Sequence, residues 1–289
     1  MLLAEHFVKP PNWTWLILGY FFLAGLSSGC YALGVMLRLW GRPSHGSAAR
    51  IAFLAAFPLV IVCPILLTVD LGQPTRFWHM LIDSAGGGLN FKYWSPMSLG
   101  VWGLGVFSGF AFLSFLGEIW APVGRLLHSL LGGLLLVVGL VFALFVGAYT
   151  GVLLSVSNQP VWSDGWPLGG LFLASGLSGA TALLLLLIAA RHRSQVAASV
   201  GALGEADRYF VVIEAVLIVI FLVTVAAAGT IGRLFNVVGI GLWVLVLVGL
   251  TVPLLAHSRS RVLWPVLTSL LVLIGVLALR AAVIFGGQS

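Results

Sequence analysis

Eight apolar stretches, each about as long as a bilayer's hydrocarbon layer is thick, run through this chain and decide what it can fold into. A helix needs about 20 mostly apolar residues to cross that layer. The stretches cover approximately residues 13–37, 48–69, 94–117, 126–154, 168–190, 209–228, 237–256 and 264–285, with polar or Pro/Gly punctuation between them. Backbone groups inside a bilayer must be hydrogen-bonded within the protein, so spans of this length are helices. The expected fold is all-α integral membrane: eight transmembrane helices in one domain over residues 1–289. Composition agrees, because 61% of the residues are hydrophobic and 8% charged, against about 25% charged in soluble domains. The start MLLAEHFVKPPNW has no basic stretch ahead of an apolar core, so no cleaved signal is expected and the first run should stay as a helix.

An even number of spans puts both termini on one side. Connections after spans 1, 3, 5 and 7 carry nine arginines, Arg38, Arg42, Arg50, Arg125, Arg191, Arg193, Arg208, Arg259 and Arg261; the other side carries five basic residues, Lys9, Arg76, Lys92, Arg233 and Arg280. Basic residues favour the cytoplasmic side, so the termini are expected on the outer, periplasmic side of a bacterial inner membrane. The net charge of +6 is scattered singly between apolar runs, which argues against nucleic acid. Outer segments such as DLGQPTRFWHMLIDSAGGGLNFKYWSPMS and SNQPVWSDGWP gather aromatic, amide and carboxylate groups. The inner connections GRPSHGSAAR and RHRSQVAASVGALGEADR read as plain polar linkers.

Few residues can carry chemistry. Cys30 and Cys63 lie inside apolar runs and read as small buried hydrophobes, so this polypeptide alone holds no iron–sulfur cluster and no metal site is expected. His6, His45, His79, His128, His192 and His257 all fall in loops or at helix ends, whereas a bis-histidyl haem needs imidazoles from the middle of facing helices; haem is not expected. Ionisable residues within spans are costly and default to functional candidates. They are Asp70 at the outer end of span 2, Glu214 about one turn inside span 6, and Arg280 in the outer half of span 8; pairing with Arg76, or with Arg208 or Arg193, would explain the two acids equally. Tyr149 offers a phenol near the outer end of span 4, close to Thr150, Asn158 and Gln159. The small-residue runs GLSSG at 25–29 and SGLSG at 175–179 permit close helix approach, and their likeness hints at a duplication of two four-helix bundles.

Four stretches together resemble the NrfD/PsrC family of polysulfide reductase-type membrane subunits: WTWLILGYFFLAGLSSGCY at 13–31, DLGQPTRFWHML at 70–81 with NFKYWSPMSLGVW at 90–102, YTGVLLSVSNQPVW at 149–162, and LRAAVIFGGQS at 279–289. The resemblance implies a haem-free bundle that binds menaquinol or ubiquinol at its outer side. It also implies docking to a four-cluster, ferredoxin-like iron–sulfur subunit serving a catalytic partner, often a molybdopterin enzyme. Carried over by motif, the quinone pocket would involve His6, Asn12, Trp13, Asp70, Arg76 and Tyr149, with Asp70 as proton acceptor. Gln73 departs from the basic residue of the DLGRP form of the loop. Glu214 and Glu118 could begin an inner proton path, and Trp78, Trp94, Trp162 and Trp166 are either a docking surface or interfacial anchors. A secondary transporter, with Pro58 and Pro64 as the nearest thing to a broken helix, and a purely structural anchor are the competing readings.

Overall fold

The structure, a computed structural model, describes residues 11–83, 86–190, 197–255 and 263–288. Among these are eight helices long and apolar enough to span a membrane: α1 (Trp15–Leu39), α2 (Gly46–Asp70), α3 (Pro96–Ile119), α5 (Leu130–Ser155), α6 (Leu168–Ala190), α7 (Ala197–Ala227), α8 (Val237–Leu255) and α9 (Leu263–Gly286). A short helix, α4 (Ala121–Leu127), turns the chain between α3 and α5. Starts are set by local chemistry. Thr14, Ser95 and Ser129 cap α1, α3 and α5 by accepting from the backbone N–H groups of Leu16, Ser98 and Gly132. Pro96 sits in the first turn of α3, where its missing N–H is not needed.

Two departures from the sequence reading matter. Span 6 begins at Ala197 rather than near residue 209, because the small and straight-chain residues of AASVGALGEADR favour helix despite their polarity. Glu214 therefore lies in the middle of its helix rather than one turn from an end. Residues 126–127 belong to α4, and α5 starts at Leu130. Pro58 and Pro64 do not interrupt α2, which runs unbroken through both.

The expected pair of bundles is present. Helices α1, α2, α3 and α5 close one ring; α6 packs on α7 and α9, and α9 on α8, to form the other. The joint between them is α6 against both α1 and α5, with α1 and α6 in the closest approach. Accordingly 78% of the most apolar stretch of α1 and 72% of that of α6 are buried, against 22% for α8, whose outer face is left to lipid. Apolar side chains gain nothing from leaving lipid for protein, so close packing of small residues has to supply the contact. GLSSG and SGLSG supply it together: a Cβ on Gly29 would lie 2.5 Å from the Gly176 carbonyl oxygen and 2.6 Å from Ala180 Cβ, and one on Gly176 would lie 3.0 Å from the Gly25 carbonyl oxygen. The suspected repeat is thus a packing motif in which its two copies meet.

Candidate functional site

The four stretches that carry the family resemblance converge at one end of the molecule, the end where α1 begins. Thr14 is the hinge of this arrangement. While capping α1 it also donates from its hydroxyl to Asp70 Oδ1 at 3.2 Å, tying the start of α1 to the end of α2. Trp13 is fixed on every side: its N–H donates to Gln288 Oε1 at 2.7 Å, its carbonyl accepts from Gln288 Nε2 at 3.3 Å, and its ring stacks on Trp162 at 4.9 Å. Trp162 is wholly buried and donates its indole N–H to the Val283 carbonyl at 2.8 Å. The preceding Val161 has φ 72°, a left-handed conformation that is strained for a β-branched residue. Its N–H is held by Asp164 Oδ2 at 3.2 Å.

Behind Trp13 lies a cavity of about 260 Å³ between α1, α2, α3 and α5. Apolar side chains dominate its walls, among them Ile17, Phe21, Leu67, Met80, Met97 and Leu153. The polar groups are few: the Asp70 carboxylate, the Tyr149 phenol, Tyr20 and the Trp13 indole. Among the described residues, Asp70 is the only one with a formal charge on the wall. Tyr149 donates to the Pro96 carbonyl at 2.7 Å, which holds its ring across the cavity floor and leaves the phenol oxygen able to accept. Gly100 makes room for this, since a Cβ there would collide with the Tyr149 ring. A second cavity, of about 360 Å³, is lined by Asn158, Gln159 and Ser95 and shares Trp13, Met97 and Leu153 with the first. The site is an apolar chamber with a polar mouth, the usual form of a small-molecule site.

Of the residues singled out from sequence, Trp13, Asp70 and Tyr149 meet in the cavity. Asn12 is exposed and not on its wall, and Arg76 is exposed on the 3₁₀ turn Pro74–Met80, with its backbone N–H on the Gln73 carbonyl. The ion pairs seen among the described residues do not include Asp70 with Arg76. His6, like His192 and His257, lies outside the described residues. His79 stacks on Trp78 at 3.8 Å in the loop. Trp78, Trp94 and Trp166 are exposed as a docking or anchoring surface requires, but Trp162 is a core residue, drawn inward by its bond to Val283.

Glu118 and Glu214 lie in different bundles. Glu118, at the end of α3, accepts from Arg38 of α1 at 2.5 Å and lies 4.0 Å from Arg50 of α2, so it fastens three helices at the end opposite the cavity. Glu214 is buried in the second bundle. Arg280 does not reach the cavity. Fully buried, it donates to the Phe21, Phe172 and Val276 carbonyls and to Ser175 Oγ, with its guanidinium 5.1 Å from the Phe172 ring centre. It thereby clamps α9 to α1 and α6.

Tyr20, Met97 and Gly100 were not anticipated. Tyr20 could have been found, because Trp13, Ile17, Tyr20 and Phe21 recur at helical spacing and share one face. Met97 and Gly100 depend on how α3 meets α5, which no local pattern records.

Fold and site define a multi-pass α-helical membrane protein with an apolar chamber at one end of its first bundle. The profile of the family described as "Polysulphide reductase, NrfD" matches residues 5–289, and the chain belongs to that family. It is 32% identical to the C chain of polysulfide reductase from Wolinella succinogenes, over 96% of this sequence and 94% of that protein. Protein NrfD of Escherichia coli is 29% identical over 99% of this sequence and 97% of its own length. The C subunit of tetrathionate reductase from Salmonella typhimurium is 28% identical over 68% of this sequence and 55% of its own.

Proposed function

We propose that this chain is the membrane-anchor subunit of a reductase complex in a bacterial inner membrane, and that it binds menaquinone or ubiquinone in the chamber beside Trp13. Support for the complex comes from relatives named as components of polysulfide and tetrathionate reductases. The observation that carries the quinone reading is the chamber itself, whose apolar walls hold a phenol oxygen and a carboxylate that can both accept from a quinol's O–H groups. Such walls suit a quinone ring with its isoprenoid tail, and Gly100 gives the Tyr149 ring the space it needs to reach the chamber wall.

A bound quinol would supply two electrons and two protons. Tyr149 would accept from one ring O–H, and Asp70, near the surface and already accepting from Thr14, would take the two protons one after the other and release each to water. Trp13 and Met97 would separate the chamber from the outer cavity and set the ring's plane. Electrons would leave to a four-cluster iron–sulfur subunit and on to a catalytic partner, of the molybdopterin type in the family reading. The chamber end would then face the periplasm, with exposed Trp78, Trp94 and Trp166 at the partner's surface.

The test is purification in mild detergent with identification of bound subunits and extractable quinone. Turnover of the complex with quinol is then compared for wild type, Tyr149→Phe and Asp70→Asn. Loss of turnover with the complex still assembled supports the reading. Unchanged turnover in both variants would leave a structural anchor.

A further inference from the structure

The buried stripe of α7 carries polar atoms that find no protein partner. Counting from the end opposite the chamber, Ser199 Oγ, Asp207 Oδ1 and Glu214 Oε2 are all buried without a hydrogen bond. Asp207 and Glu214 are seven residues apart, two helical turns, so they lie on one face about 10 Å apart along the axis. Glu214 is 2% exposed, and Ser178 of α6, fully buried, stands close enough to act on its carboxyl although no well-aligned hydrogen bond joins the two. Both line one small cavity of about 10 Å³, walled otherwise by Val246, Gly249 and Leu250 of α8 and Val272, Gly275 and Val276 of α9. That volume is about the minimum for a single water. Gly249 and Gly275 bring α8 and α9 close enough to shut it, a Cβ on either meeting the other's Cα at 2.8 or 3.0 Å.

An ionised carboxylate without partners cannot be kept in such a place at reasonable cost, whereas a neutral carboxyl with one water can. The groups that act electrostatically on Glu214 are Arg280 from α9 and Asp207 from α7 itself. Arg280 makes no ion pair with it, its donors being taken up by Phe21, Phe172, Ser175 and Val276. From α6 comes Ser178, and from α8 only apolar groups.

We propose that Glu214 is a proton-exchange site in the middle of the second bundle: a protonated carboxyl that shares one water with Ser178 and is reached from the face opposite the chamber through Asp207. The step is a plain proton relay: the water oxygen takes the Glu214 proton while one of that water's own protons passes on toward Asp207, and a proton returning from Asp207 through the same water restores the Glu214 O–H bond. No redox partner is needed, and the site stands independently of the quinone reading.

Hydrogen–deuterium exchange of the full chain in lipid nanodiscs, followed by infrared spectroscopy of the carboxyl C=O band, tests it. At neutral pH the wild type should show a protonated-carboxyl band that shifts in heavy water and is missing from Glu214→Gln. In Asp207→Asn the band should remain but exchange about tenfold more slowly, equivalent to about 1.4 kcal/mol on the barrier. Should Glu214→Gln fail to fold, the Asp207→Asn kinetics still decide the matter on the native carboxyl. A missing band in the wild type, meaning a carboxylate balanced by Arg280, overturns the proposal. So does an exchange rate that Asp207→Asn leaves unchanged.

Discussion

Ser27 of α1 and Ser178 of α6 occupy matching places, each two residues after the glycine at which the two helices meet, yet their surroundings differ. Ser27 donates to the Ala56 carbonyl of α2 at 2.7 Å, and the layer next to it is sealed by Tyr31, which meets Phe53 and Phe107 edge-on at 5.5 Å. Ser178 donates to no backbone carbonyl and stands beside Glu214 instead. The first bundle is closed in the middle and open at the Trp13 end; the second is plugged at that end by Trp162 and keeps its unpartnered polar groups in the middle. Similar helix pairs leave space in different places because a few side chains on their neighbours differ. In a bilayer that is enough, because burying apolar surface does not by itself tell one packing from another and polar groups decide where space is left.

The joint between the bundles is the part whose failure would be felt most. Gly29→Leu places a side chain against the α6 backbone, which cannot yield, and should cost at least about 3 kcal/mol in reversible mixed-micelle unfolding. A stable Gly29→Leu protein would mean that the two bundles are held by something other than this contact. The chamber comes next. Tyr149→Phe should lower quinol-linked turnover about tenfold, or about 1.4 kcal/mol in the barrier, while unfolding shifts by less than about 1 kcal/mol for one lost hydrogen bond. A stability loss without a turnover loss would reduce Tyr149 to a strut for Pro96. At the opposite end, Glu118→Gln weakens the tie to Arg38 and should cost about 1 kcal/mol or less, an effect that shrinks as salt is raised. Smallest is Ser27→Ala, expected at about 0.6 kcal/mol, typical of a hydrogen bond between membrane helices. A much larger cost would show that the first bundle's middle is sealed by that bond rather than by its aromatic layer.

Much of this was legible in the sequence because the bilayer leaves so few options. Span number and the two-bundle arrangement follow from eight apolar runs and from a repeated small-residue motif whose copies turn out to touch. The start of α7 was not legible, since AASVGALGEADR is polar enough to pass for a loop and only its helix propensity says otherwise. That error moved Glu214 from the edge of its helix to its centre. Of the site, Trp13, Asp70 and Tyr149 could be read from motifs because each ends a span near polar punctuation. Trp162 could not be told from an interfacial tryptophan, because its inward turn depends on the strained Val161 and on a carbonyl of α9, 121 residues away. Gly100 is one glycine among 36 and shows its purpose only when the Tyr149 ring lies over it.

The central claim, that the chamber beside Trp13 takes a quinone, is tested most directly by titrating the purified protein in nanodiscs with a short-chain quinone while following tryptophan fluorescence. Saturable quenching that is weakened by Trp13→Phe and abolished by Gly100→Leu, whose side chain meets the Tyr149 ring and drives it into the chamber, is the predicted result. Quenching that never saturates, or that Gly100→Leu leaves untouched, would contradict it.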